Sequence, residues 1–170
     1  DLISYLRLSI NLNDNIAAKR IINVPARGIG KTTVEHIDQI TIDKNITFFE
    51  AIKYAIDHKV FNAGTTSKLR RFVDIIEDFN TQQEHYKISE FYSLVLDKTD
   101  YLSILKKENT PEADARINNL EELSNAIMQF EKEREDEATL SSYLEELALA
   151  SDLDKQNNEL DDIEVISKTL

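Results

Sequence analysis

The chain has 170 residues, 41% of them hydrophobic, a formal net charge of −12 and no cysteine. That length supports one domain with a real core, and the lack of any long apolar run excludes a transmembrane helix and a signal peptide. Without cysteines there are neither disulfides nor thiolate metal ligands, which fits an intracellular protein.

The charge is unevenly spread. Residues 1–80 carry 11 basic and 10 acidic groups, a balance of +1, whereas residues 81–170 carry 9 and 22, a balance of −13. An anion-binding site is therefore far less opposed in the first half than the average suggests. Screening over roughly 8–10 Å separates a local basic patch from remote acids.

In chain order, Leu2, Ile3, Leu6 and Ile10 recur at helical spacing and predict a helix over residues 1–10. Asn13 or Asp14 caps a second helix through about Ile22, with Ile16, Ala17, Ile21 and Ile22 inward. After a break, Thr32 or Thr33 opens a third helix carrying Val34, Ile37 and Ile40. Thr47-Phe48-Phe49-Glu50 is a capping-box pattern for a fourth. A long helix from about Thr66 to Gln83 follows, striped by Leu69, Phe72, Val73, Ile76 and Phe79. Ser89 starts another, and Tyr101, Leu102 and Leu105 form a short one. Thr110-Pro111 opens a helix reaching past Phe130, with Ile117, Leu120, Leu123, Ile127 and Phe130 as its stripe. Residues 131–137 are a solvated charge run, and Thr139 to Ala150 is a last helix. Ser151 to Asp162 reads as a polar linker, and Ile163-Glu164-Val165-Ile166 as one short terminal strand. The fold class expected is all-α, a multi-helix domain with that one strand. The sequence begins at Asp1 without a methionine and reads as a piece of a longer chain.

Two of the three glycines and one of the two prolines fall within Pro25-Ala26-Arg27-Gly28-Ile29-Gly30-Lys31-Thr32-Thr33. Glycine admits positive φ and lets another group approach bare backbone. With Arg27 and Lys31 flanking the glycines and hydroxyls following at a helix start, the segment suits an anion, most naturally a phosphate. Gly30-Lys31-Thr32 imitates the end of a Walker A loop, but Pro25 stands where that pattern needs its first glycine. Proline has no N–H to offer a phosphate. The preceding segment also reads as helix rather than a buried strand, which argues against a small P-loop phosphotransferase.

A helix–hairpin–helix reading fits better: a tight turn presents backbone N–H groups and a helix N-terminus to one phosphate of a nucleic acid strand. The bland alternative is a plain helix–helix turn with a glycine C-cap, the domain then serving as a helical protein–protein module. His36, His58 and His85 lack metal-ligand spacing, and no nucleophile–base pattern is legible. Arg116, Asn119 and Glu122 share a helical face and read as a structural polar network.

Several segments together resemble the UvrD/Rep/PcrA family of superfamily 1 DNA helicases. They are Tyr5-Leu6-Arg7-Leu8, Asn11-Leu12-Asn13-Asp14, and the run from Arg20-Ile21-Ile22-Asn23-Val24-Pro25 through Ala26-Arg27-Gly28-Ile29-Gly30. Tyr101-Leu102, Arg116-Ile117-Asn118-Asn119-Leu120-Glu121-Glu122-Leu123, Tyr143-Leu144-Glu145-Glu146-Leu147-Ala148-Leu149 and Ser151-Asp152 continue the series in order. The resemblance implies a 2B domain, a helical insertion in the second motor domain (2A) of an ATP-dependent 3′–5′ helicase. It implies an exit helix from 2A over 1–10, the 2B domain over 11–160 and a return strand toward 2A over 161–170. Arg27, Gly28, Ile29, Gly30 and Thr33 match a motif with which family members contact duplex DNA backbone, independently of base sequence. Lys31 and Thr32 are added to that site on charge and position. The parts that bind ATP and Mg lie elsewhere in such enzymes, so no cofactor is expected in this piece. The remaining helicase domains are its expected partners, without a membrane, in the bacterial cytoplasm and associated with the nucleoid.

Overall fold

The computed structural model describes the backbone of residues 1–169, and the side chains of all of these except 162 and 164–169. Among the described residues the architecture is all-α. Helix α1 (Leu2–Ile10) is followed by α2 (Asn15–Ile21), α3 (Lys31–Lys44), α4 (Phe48–Asp57) and the long α5 (Ala63–Gln82). Then come α6 (Ile88–Thr99), α7 (Tyr101–Glu108), α8 (Pro111–Arg134), a 3-10 turn (Glu135–Glu137) and α9 (Leu140–Thr169).

The helix starts follow from side-chain chemistry. Asp14, Thr47, Asn62 and Thr110 each accept a hydrogen bond from the backbone N–H three residues on, satisfying donors that the first turn leaves free. At α4 the capping box is complete, with Glu50 Oε2 accepting from the Thr47 N–H at 3.0 Å. Asn15 Oδ1 also accepts from the Phe48 N–H at 2.9 Å, which ties the start of α2 to that of α4.

Helix α5 is the spine. Its Leu69, Phe72, Val73, Ile76 and Phe79 are all buried, and full burial of such a side chain is worth about 1.5–3 kcal/mol. Against it pack α1 and α4, with α2 on α1 and α3 on α4. Phe79 meets Phe91 edge-on at 5.9 Å, and Asn80 donates to the Ser9 carbonyl at 2.8 Å. Helices α6, α7 and α8 pack on one another, and α9 returns to α1. The balanced half of the sequence therefore builds α1–α5, and the acidic half builds α6–α9.

Three expectations change. Ile16 is 83% exposed, because the buried face of α2 is Ala17, Ala18 and Ile21, and Ile16 points away from it. The linker and the terminal strand are both absent, since α9 continues as helix from Leu140 to Thr169. No glycine or proline interrupts that stretch, and three apolar residues around Glu164 carry no strand signal that a helix cannot match. Residue 170, the end of the expected strand, lies outside the described residues. Finally, α2 and α3 are joined by the loop 22–30, not by a tight hairpin turn.

Candidate nucleic-acid interface

The loop between α2 and α3 is organised from within by Arg27. Its guanidinium Nη1 donates to the carbonyls of Ile21 at 2.7 Å, Ile22 at 3.1 Å and Val24 at 3.2 Å, while Nη2 donates to the Tyr5 hydroxyl. The Tyr5 hydroxyl in turn donates to the Val24 carbonyl. The guanidinium carbon lies 5.1 Å from the Phe72 ring centroid and 5.9 Å from that of Tyr5. One cation thus closes the C-terminus of α2, where a positive charge also complements the helix dipole, and joins it to α1 and α5. Burial pushes the Tyr5 phenol above its ordinary pKa, against the smaller opposing pull of Arg27.

Asn23 supports the outer part of the loop. Its Oδ1 accepts from the Arg27 N–H at 2.8 Å and from the Ile29 N–H at 3.2 Å. The Val24–Pro25 peptide is cis, and Pro25 and Ile29 are buried. Gly28 has φ +75°, a conformation that favours glycine. Its carbonyl accepts from Lys68 Nζ of α5 at 3.2 Å, and a Cβ at this position would stand 2.9 Å from that nitrogen.

Gly30 is the N-cap of α3 and makes no side-chain cap, so Lys31 is the first helical residue and not Thr32 or Thr33. The first N–H groups of the helix, on Lys31, Thr32 and Thr33, precede the first intrahelical bond, from the Val34 N–H to the Gly30 carbonyl. A Cβ on Gly30 would meet nothing within 4 Å, so the space beside this residue is open. The Lys31 side chain is 91% exposed, with Glu35 at 3.8 Å in the following turn.

Gly28, Gly30, Lys31 and Thr32 are exposed and Thr33 is half-buried, while the Arg27 guanidinium turns toward the protein and Ile29 is buried. Tyr5, Asn23, Lys68 and Phe72 belong to the same construction and lie outside the nine-residue segment read from the sequence. Asn23 carried a local signal, since Asn favours bonds to nearby backbone N–H groups. Lys68 carried none, being forty residues from the glycine it touches.

Elsewhere, Arg116, Asn119 and Glu122 do not form the expected network. With Asp1, Tyr101 and Tyr143 they line an open cleft of about 550 Å³, into which no hydrogen bond or ion pair joins them among the described residues. Among the described residues no group of His, Cys, Asp and Glu is arranged to hold a metal ion, and no helix is long and apolar enough to cross a membrane.

Residues 1–167 match the family described as the UvrD-like helicase C-terminal domain. The chain is 37% identical over 155 residues to an ATP-dependent DNA helicase PcrA of Bacillus subtilis, covering 91% of this chain and 21% of that protein. It is 34% identical over 160 residues to the ATP-dependent DNA helicase PcrA of Staphylococcus aureus, covering 94% and 22%. The chain thus spans about a fifth of the length of these relatives. With nearly its whole length matched, the chain belongs to the UvrD-like helicase C-terminal domain family.

Proposed function

We propose that this chain is the 2B accessory domain of an ATP-dependent 3′–5′ DNA helicase and that it grips duplex DNA backbone through the loop joining α2 and α3. The observation that carries this reading is the exposed, glycine-capped start of α3 beside Lys31, in a chain of the helicase family. Helix N-termini bind phosphate through free N–H groups and the helix dipole. In this reading Gly28 and Gly30 allow close approach, and the N–H groups and hydroxyls of Thr32 and Thr33 meet a phosphate oxygen. Lys31 adds charge, Ile29 anchors the loop, and Arg27 positions it from beneath. Such contacts carry no base code, so binding is independent of sequence. Residues 1–10 lead out of motor domain 2A, 11–160 form 2B, and the end of α9 leads back. ATP and Mg act in the rest of the helicase, which is the domain's partner in a bacterial cytoplasm at the nucleoid.

The competing reading, a helical protein–protein module, draws on Leu149, Leu153, Leu160 and Ile163 of α9, all more than half exposed. Titration of a labelled blunt duplex against the chain at low salt separates the two. With two or three phosphates engaged, log K falls with log[salt] at a slope of about −2 to −3. Lys31→Ala makes that slope shallower by about 0.9. Binding that is absent, or that is untouched by Lys31→Ala, overturns the site.

A further inference from the structure

Arg27, the cation just before Gly28, is committed to the protein's own carbonyls. Beside Lys31, a further positive charge reaches the loop from α5. Lys68 reaches the Gly28 carbonyl at 3.2 Å. An ammonium has three donors, and that bond occupies one. Among the described residues no carboxylate lies within 4 Å of Lys68, whereas Lys19, Arg20, Lys31, Lys53 and Arg134 each have one. Gly28 makes room for it, because a Cβ there would lie 2.9 Å from Nζ and 3.4 Å from Cε. The glycine thus serves two ends, its own positive φ and the approach of the lysine.

We propose that Lys68 is a second phosphate-contacting cation of the loop, held in place by the Gly28 carbonyl and acting with Lys31. The inference rests on the duplex-backbone reading above and extends it to a helix that the glycine motif does not include. Two free donors and an uncompensated charge at the loop's edge suit a phosphate oxygen as a point-charge contact. The bond to Gly28 limits the freedom that a lysine ordinarily loses on binding.

The test uses the whole chain and a fluorescein-labelled 20-base-pair blunt duplex, followed by anisotropy over a series of salt concentrations. Lys68→Ala and Lys68→Gln are compared with the wild type, with Lys31→Ala and with Lys132→Ala on the acidic half. Glutamine keeps a donor for the Gly28 carbonyl but loses the charge. Both Lys68 variants are expected to reduce the magnitude of the log K against log[salt] slope by about 0.9, as Lys31→Ala does, while Lys132→Ala leaves it unchanged. Lys68→Arg is expected to retain the slope. If Lys68→Gln binds like the wild type while Lys31→Ala is weakened, Lys68 is only a brace and this inference is overturned with the site intact. If the wild type does not bind, or Lys31→Ala and the Lys68 variants all match it, the underlying reading falls and the inference falls with it. Far-UV circular dichroism and melting of each variant exclude unfolding as the cause of any loss.

Discussion

A guanidinium that donates to three main-chain carbonyls and a phenol at once has little left to offer a ligand, and Arg27 is in that position. Removing it leaves those acceptors underserved in a partly buried site. Arg27→Ala is expected to destabilise the fold by about 2–3 kcal/mol, which lowers the melting temperature of a chain this size by roughly 4–12 °C. Arg27→Lys recovers little, because a point charge cannot reproduce a planar fork reaching several carbonyls. Both variants should keep the wild-type salt slope for duplex binding when measured well below their melting temperatures. A slope shallower by about 0.9 with unchanged stability would make Arg27 a phosphate ligand instead. The sequence showed that something basic and glycine-rich belonged at this turn. It could not show which cation faces inward, since that depends on Tyr5 and Phe72, which reach the loop only through the packing of α1 and α5.

At the scale of elements, the helices that begin with a side-chain cap were legible, because a cap is a local rule. Asp14, Thr47 with Glu50, and Thr110 with Pro111 open α2, α4 and α8 as their spacing predicts. Helix α5 starts a turn before its expected Thr66 because Asn62, inconspicuous between apolar neighbours, is the actual cap. The far half of α9 was misread because polar composition alone separates linker from solvated helix poorly when no breaker is present. A further start is hidden from local rules altogether. Helix α6 has no cap of its own, and Glu131 of α8 supplies one, accepting from the Ser89 N–H at 2.5 Å and from its hydroxyl at 2.9 Å. A carboxylate at a helix N-terminus gains from both the hydrogen bonds and the dipole. Glu131→Gln is expected to cost about 1–2 kcal/mol, read as a lower urea midpoint, while Glu133→Gln, two residues on and exposed, changes it little. Equal midpoints for the two variants would mean that the α6–α8 junction does not depend on this charge.

Over the whole molecule, four buried tyrosines share one titration behaviour. Tyr5, Tyr92, Tyr101 and Tyr143 are all buried, and in each burial pushes the phenol above its ordinary value, for Tyr92 up to about 12. Tyr92 also donates to the Leu120 carbonyl at 2.6 Å, joining α6 to α8. A raised phenol pKa means that the folded state holds its protons longer than the unfolded chain, whose tyrosines ionise near pH 10. Unfolding therefore releases protons above that point, and stability falls as pH rises. The contribution is complete below about pH 10 and drains away between there and about pH 12. Urea midpoints should accordingly stay level between pH 8 and 9.5 as far as these groups are concerned, then drop steeply. Tyr92→Phe removes the hydrogen bond to Leu120, so it starts about 1 kcal/mol lower at pH 8. Lacking the phenol that resists ionisation most, it should then lose stability more gradually, and the two curves should draw together above pH 10 and cross before about pH 12. Parallel curves would show that the alkaline transition is governed by the lysines and by net charge, and not by the buried phenols.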